Sequence, residues 1–449
     1  MGFQQGLSGL NAAAKNLDVI GNNVANANTV GFKSSRAEFS EVYAAALNGT
    51  GTNNVGIGTG VAAIAQQFTQ GNITTTESPL DLALNGQGFF QVTDGRSPTQ
   101  YSRNGQFKVD REGFVINNNG LKLLGYPADG SGVVQPGVSR PLQLPTAGIN
   151  PQITTEVKLE FNLDSRAKTT APLAATGIVL NDPTTYNNAT SMSVYDAKGQ
   201  QVALTLYFQK GEPVADQVTG LINNNVWHVY ATANGKPLAV DSGGNAIPLD
   251  AENNPQTPWT TLIFPANGGA PIQPSPTTTP PNGLLSMTVP DTVNAVGAPT
   301  LEIPGITIDL LAAKENGSNF GVTAVLQDGY APGQLAGILI EGNGIVTARY
   351  SNGQSKPAGQ IELANFRSVQ GLQPLGGNAW ARTFGSGDPV LGVPGQGNFG
   401  SLQSGALEDS NTDITLELVN MITAQRVYQA NAQTIRTQDQ VLQTITNLR

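Results

Sequence analysis

The chain has no cysteine and a single histidine, His228, in 449 residues. Without cysteine there is no disulfide framework, no thiol nucleophile and no thiolate metal site. One histidine excludes a multi-histidine metal centre and leaves His228 as the sole imidazole base for a Ser-His-Asp arrangement. His228 sits in the alternating stretch VWHVY with no partner motif beside it, and it reads as a half-exposed strand residue. Charge is scarce as well: Asp, Glu, Lys and Arg make up 12% of the chain, against roughly 25% in an average protein. The balance is a net −9, which argues against nucleic-acid binding. No run of about 18 apolar residues occurs, so no membrane insertion is expected. The first lysine is Lys15 and no apolar run of leader length follows the start, so the expectation is a chain that either stays inside or leaves by a route that cleaves no signal peptide. No P-loop, HExxH, GxSxG or EF-hand spacing is present. The carboxylates Asp81, Asp94, Asp110, Glu112, Asp164 and Asp309 are scattered, and no short repeat marks a polysaccharide-active solenoid. The expectation is a protein that is not an enzyme and carries no cofactor, catalytic residue or metal.

What remains is 39% hydrophobic residues and 53 glycines, enough for a sizeable core and roughly two to four domains. The two ends differ from the middle. Phe3, Leu7, Leu10, Ala14, Leu17 and Val24 recur at three- and four-residue spacing with Gly21 in phase, an apolar stripe on a helix of about 25 residues. At the other end Ile414, Leu418, Met421, Tyr428, Ala432, Ile435 and Leu442 keep the same rhythm, and a second set including Leu416, Val419, Val427 and Leu448 lies on another face. Ser410 followed by Asp413 predicts an N-cap with an acid in the first turn. From Thr412 to Asn447 the helix would be about 50 Å long. Two stripes on one helix describe either an intramolecular helix hairpin or a coiled coil completed by further copies of the chain. The remaining surface is Gln, Asn and Thr rather than the Glu and Lys of a solvated coiled coil, which favours packing on all sides.

Between the ends lie Gly- and Asn-rich stretches, NGTGTNNVGIGTG over 48–60 and the segment 371–400, which read as irregular connectors. The middle reads as strands. Val157, Leu159, Phe161 and Leu163 alternate with polar residues, a half-buried strand. Met192–Tyr195, DAKG and Val202–Phe208 form a hairpin pattern, and Asn234–Gly235 is a turn signal. Further strands are expected over 226–231, 284–289, 303–310, 321–326, 338–340, 345–350 and 361–366. Many short strands punctuated by Gly, Pro and Asn point to sandwiches or small barrels. The Pro- and Thr-rich segment 254–283 reads as an exposed loop. The predicted fold class is therefore multidomain and mainly β, with α-helical termini forming an inner coiled-coil layer and β-sandwich or barrel-like middle domains.

Particular stretches carry a family likeness. NNVANANTVGFK (22–33) and SNTDITLELVNMITAQRVYQANAQTI (410–435) resemble the terminal signatures of the bacterial flagellar rod and hook axial proteins. LALNGQGFFQV (82–92), YSRNGQF (101–107) and FGSLQSGALE (399–408) resemble core segments of the same family. QDGYAPGQL (327–335) resembles the hook branch's return into an inner domain, and a large central insert also sets this chain apart from the shorter rod members.

The resemblance implies a layered subunit: 1–30 with 405–449 as an inner helical coiled-coil domain, 31–70 with 371–404 as an extended connector, 71–145 with 321–370 as an inner β core, and 146–320 as an outer, surface-exposed β domain. It implies a homopolymer, a curved helical tube acting as a universal joint that passes motor torque to the filament, in the extracellular flagellum. The implied partners are the chain itself, the distal rod protein, the hook cap, the hook–filament junction protein and the flagellar type III export apparatus, with no nucleic acid and no membrane. The implied assembly residues are Phe3, Leu7, Leu10, Leu17, Val24, Ile414, Leu418, Met421, Tyr428, Ile435 and Leu442. In the motif, Asn26, Asn28 and Thr29 would end the first helix, Gly31 would allow a turn, and Phe32 beside Lys33 would anchor in the adjoining layer. The alternatives are a distal rod or other axial protein, and a β-rich surface adhesin or polysaccharide-active protein, which would have no need of matching terminal helices.

Overall fold

The computed structural model describes residues 2–42, 56–170, 177–215, 222–223, 225–265, 271–272 and 284–447. The chain divides into two compact units, Met1–Thr146 with Ala336–Arg349 and Ser355–Arg449, and Ala147–Leu335 with Tyr350–Gln354.

The second unit is a sandwich. The strand Glu156–Asp164 buries Val157, Leu159, Phe161 and Leu163 and exposes the residues between them at its start, as the alternation predicts. It pairs in parallel with Ile303–Asp309 and Lys314–Asn316, and antiparallel with Gly321–Gln327. A second sheet runs Asn188–Tyr195, Gln201–Lys210, Val226–Ala233 and Lys236–Pro237. The two inner faces share one core in which Leu204, Phe208, Trp227 and Val229 are fully buried with Leu159 and Leu163. A buried ion pair joins the sheets. Lys210 Nζ lies 3.4 Å from Glu315 Oε1, which also accepts from Trp227 Nε1 at 3.0 Å. His228 is half-buried on the second sheet, its Nδ1 3.1 Å from Thr261 Oγ1. The segment 254–283 departs from its reading as an exposed loop. Residues Thr260–Ile263 pair with Val226–Val229 as a strand, and Trp259, Leu262 and Phe264 are buried. Three large apolar side chains outweigh the flanking prolines there. The Pro/Thr-rich part from 273 to 283 lies outside the described residues, as do residues 48–55 of the first Gly-rich stretch and Leu448.

The first unit is built on a 13-stranded sheet among the described residues, with Leu82, Leu84, Phe90, Val92, Leu123 and Leu363 at its core. The predicted strand 361–366 divides at Glu362. Ser355–Ile361 pairs with Lys122–Pro127, while Leu363–Asn365 pairs with Phe89–Thr93. A smaller aromatic cluster of Phe89, Tyr101, Phe366 and Trp380 packs edge-to-face. The helix α1 (Gly2–Ala25) and the helix α2 (Ile414–Asn447) belong to this unit. So does an antiparallel hairpin of β1 (Ser35–Val42) and β2 (Gly58–Gln66), in the stretch read as a Gly/Asn-rich connector. The cap of α2 is Asp413 rather than Ser410: its Oδ1 accepts from Thr415 N at 2.8 Å and Leu416 N at 3.1 Å.

One loop design recurs at Asp110, Asn117, Asp129, Asp196, Asp241, Asp250 and Asn294. In each, the side-chain Oδ1 accepts from the backbone N–H groups two and four residues on. The residue three on has φ between 61° and 88°, so Gly or Asn occupies it. The carboxylates among them lie low in pKa where these bonds dominate: Asp129 through the Ser131 hydroxyl and the Val133 N–H, Asp250 through the Asn254 N–H and side chain. Asp164 is pulled down to about 2 by the Arg166 guanidinium. A depressed folded pKa contributes stability above the unfolded value of about 3.9 and loses it as pH falls through the folded value. The melting midpoint is therefore expected to be flat down to about pH 5 and to fall between about pH 4 and 2. Asp129→Asn keeps the turn's acceptor oxygen, as Asn117 and Asn294 do, but removes the charge, so it should lower the neutral midpoint slightly and reduce the acid slope; an unchanged slope in the scan counts against this origin.

Candidate assembly site

The two terminal helices meet along small residues. On α1, Gly6, Gly9, Ala13, Asn16, Ile20 and Asn23 alternate at three- and four-residue spacing and are buried or half-buried. On α2, Glu417, Met421, Ala424, Asn431, Ile435 and Gln438 hold the matching positions. A methyl group added at Gly6 would lie 3.0 Å from Ile435, and one at Gly9 would lie 2.8 Å from the Asn431 side chain. The helices run antiparallel at close range because glycine permits it. Of the predicted stripes, only Met421 and Ile435 lie at this seam. Phe3 and Leu7 are 48% and 43% exposed, and Leu10, Leu17 and Val24 are half-buried. Of the α2 set, Met421 and Ile435 are half-buried at the seam, while Ile414, Leu418, Tyr428 and Leu442 are exposed together with Leu416, Val419, Ile422 and Val427. Periodicity locates a stripe of large side chains, but the closest approach selects the stripe of small ones beside it.

The hairpin lies along α1. Gln5 Nε2 donates to Gly56 O at 2.7 Å, and Thr59 N donates to Ser8 Oγ at 3.3 Å. At its other end Asn23 Oδ1 accepts from Ser35 N at 2.8 Å, and its Nδ2 donates to Ser35 O at 2.8 Å and Glu417 Oε1 at 3.1 Å. A groove of about 650 Å³ opens between α1, α2 and β1, with Ala12, Asn16, Ile20, Phe39, Leu416 and Val427 on its walls.

Below the helices the motif turns inward. The Asn26 side chain donates to Asn22 O at 2.9 Å, and Phe32 N donates to Thr29 O at 3.2 Å. Asn28 is exposed and Thr29 is half-buried. Gly31 has φ 71°, and Phe32 and Lys33 are buried. Lys33 reaches a carboxylate from the far end of the chain: its Nζ lies 2.6 Å from Glu408 Oε1, and both side chains are fully buried. Lys33 Nζ also donates to Thr69 O at 2.7 Å. Arg103 Nη1 donates to Glu408 Oε2 at 3.3 Å, and Gly71 N donates to Oε1 at 2.9 Å. The Glu408 carbonyl accepts from Gly31 N at 2.8 Å. Arg103 stands over the Phe89 ring at 5.3 Å. Burial pushes the Lys33 ammonium down in pKa, with Glu408 pulling it back, and the Arg103 guanidinium is lowered in the same way.

Two asparagines finish the joint. Asn411 Oδ1 accepts from Ser34 N at 2.7 Å and its Nδ2 donates to Gln67 O at 2.7 Å, while Asn378 Nδ2 donates to Val30 O at 2.8 Å. Arg103, Glu408, Asn23 and Asn411 thus hold the joint together, and the reading of the sequence passed over them. No local signal marks them: Glu408 is followed by another acid, Asp409, and Lys33 is followed within five residues by Arg36 and Glu38.

Four family descriptions match segments of the chain: the flagellar basal body rod protein over 3–33, the flagellar hook protein FlgE/F/G D1 domain over 83–197, the flagellar basal body protein FlaE D2 domain over 162–330, and the flagellar basal body rod FlgEFG protein C-terminal over 403–448. Over its full length the chain is 40% identical to the flagellar hook protein FlgE of Salmonella typhimurium and 39% identical to that of Escherichia coli K12, covering 100% of each relative. It is 30% identical to that of Borreliella burgdorferi over 99% of this chain and 98% of the relative. Among solved structures, the flagellar hook protein FlgE2 of Helicobacter pylori shares the fold at a TM-score of 0.53 and 14% identity, across 75% of this chain and all of the other.

Two glycines separate a seat from a spacer. A methyl group at Gly31 would sit 2.6 Å from Asn104 N at a backbone angle of φ 71°, whereas one at Gly21 meets nothing within 4 Å. Gly31→Ala should destabilise the first unit by about 1–3 kcal/mol. Gly21→Ala should stabilise α1 by about 0.5–1 kcal/mol. Urea titrations followed by circular dichroism read both, and an equal response at the two positions would contradict the seating of Gly31.

Proposed function

The chain belongs to the flagellar hook protein family, and from that premise we infer that it works as a structural subunit of the bacterial flagellar hook through its terminal helix pair. The observation that carries this reading is the apolar surface left on the pair. After α1 and α2 have met, Phe3, Leu7, Ile414, Leu416, Leu418 and Val419 are each more than two-fifths exposed. Large apolar side chains left exposed at both ends of the pair mark association surfaces. Further copies of the chain are the occupants proposed for them, in head-to-tail contacts that do not close on themselves and so build a filament.

In the proposed assembly, residues 1–30 and 405–449 form the innermost layer, with the segments 31–70 and 371–404 around them. Residues 71–145 and 321–370 supply an inner β domain, and 146–320 the outer one. Phe3, Leu7, Leu10, Leu17, Val24, Ile414, Leu418, Tyr428 and Leu442 make the contacts between copies, while Met421 and Ile435 also serve the seam within the chain. The Gln-, Asn- and Thr-rich remainder of α2 suits the wall of a neutral channel. The product is a curved tube that turns motor torque through a bend, outside the cell, reached by the flagellar type III export apparatus. Its neighbours in that setting are the distal rod protein, the hook cap and the hook–filament junction protein. No enzymatic role is proposed.

Leu418→Asp tests the reading directly. Leu418 is exposed in the single chain, so the change should leave the β-rich circular dichroism of the monomer intact. Electron microscopy under polymerising conditions should show filaments with the unaltered chain and none with the variant. Normal filaments from Leu418→Asp would remove α2 from the contacts between copies.

A further inference from the structure

Glu408 is one of the most enclosed charged residues among the described residues, and it touches both ends of the chain. Its side chain takes Lys33, Arg103 and the Gly71 N–H, and its carbonyl takes the Gly31 N–H. It lies on the strand Ala406–Glu408, paired with Ile73–Thr75, a few residues before α2 begins. The next residue, Asp409, donates its N–H to Asn72 O at 2.8 Å. Lys33 lies just beyond the turn that ends α1. The segment that follows α1 and the strand that leads to α2 therefore meet at one buried carboxylate.

We propose that Glu408 is the positioning residue of the helix pair: it sets the register of α1 against α2 by tying both approaches to one point. The proposal deepens the reading of the helices as the assembly face and rests on it only for its consequence in polymerisation. The charges predict an asymmetry. Two cations share one carboxylate, so neutralising Glu408 strands both in a dry site, whereas removing Lys33 leaves Glu408 paired with Arg103.

Hydrogen exchange of the full-length chain tests this. In Glu408→Gln, protection at Gly31, Gly71 and the interior of α1 should fall together by at least tenfold, while Leu204 and Val229 in the second unit stay unchanged. Lys33→Met should cost clearly less. Adding Lys33→Met to Glu408→Gln should recover part of the loss, because it removes one stranded cation; a purely steric role for Glu408 would make the double variant worse. If Glu408→Gln alone is too unstable to isolate, recovery of a folded chain in the double variant supports the proposal and failure to recover it overturns it. Unchanged α1 protection in Glu408→Gln, or α1 amides that exchange freely in the unaltered chain, also overturns it. Loss of protection with normal polymerisation would keep Glu408 as the register residue and remove the helix faces from assembly, so the two claims fail separately.

Discussion

A carboxylate with no access to water has to be matched where it lies, and the architecture of the first unit follows from how Glu408 is matched. Taking an ion out of water costs several kcal/mol even after relaxation. That cost is offset only when good geometry supplies opposite charge and hydrogen bonds at once. Here an ammonium, a guanidinium and a backbone N–H converge on two oxygens. Each donor comes from a different part of the chain, so the cluster is complete only when residues 31–33, 69–71, 103 and 408 are all in place. Apolar packing could join these segments in several registers, but this cluster accepts one.

The helix seam obeys a complementary rule. Close approach of two helices needs small side chains, and α1 places Gly6, Gly9 and Ala13 there. The larger residues are displaced onto the neighbouring stripes. A seam made of leucines would have satisfied the pair internally and left little apolar surface to offer a further copy. By spending its small residues on the intramolecular contact, the chain keeps Phe3, Leu7, Leu416 and Leu418 facing outward. The register set by Glu408 and the surface left by the glycines are thus two sides of one arrangement, in which an ordered helix pair remains incomplete.

Much of the β structure was legible because its physics is local. The alternation at 157–163 and the hairpin around DAKG depend on residues within a few positions of one another. The same loop at Asp110, Asp129 and Asp241 could have been read from D-x-x-G alone, since the side-chain cap and the left-handed fourth residue are both written there. What was not legible is non-local. Nothing near Lys33 indicates a partner at Glu408, because the pair is 375 residues apart. The strand Thr260–Ile263 was hidden by prolines on either side, and its place depends on Val226–Val229 reaching it. The helix seam within the chain could not be placed from the stripes, because periodicity counts hydrophobicity while the contact is decided by size. The groove between α1, α2 and β1 could not be read for the same reason: the hairpin's pairing spans residues whose composition resembles a connector.

The abundance of glycine takes on a different meaning once its places are known. Glycines concentrated near the joints between helices and β structure suggest slack. In the structure the glycines at the joint do the opposite. Gly31 lets the backbone come within contact of Arg103 and Asn104, and Gly71 lies against the Asp409 carbonyl while its N–H meets Glu408. A side chain at either place would hold the segments apart and open the carboxylate to water. With Asn23, Asn378 and Asn411 bonding the adjoining backbone, the passage from helix to sheet behaves as part of the folded body rather than as a tether. A subunit of a bending tube then keeps its inner joint stiff and yields elsewhere, at surfaces where no buried charge would have to be parted.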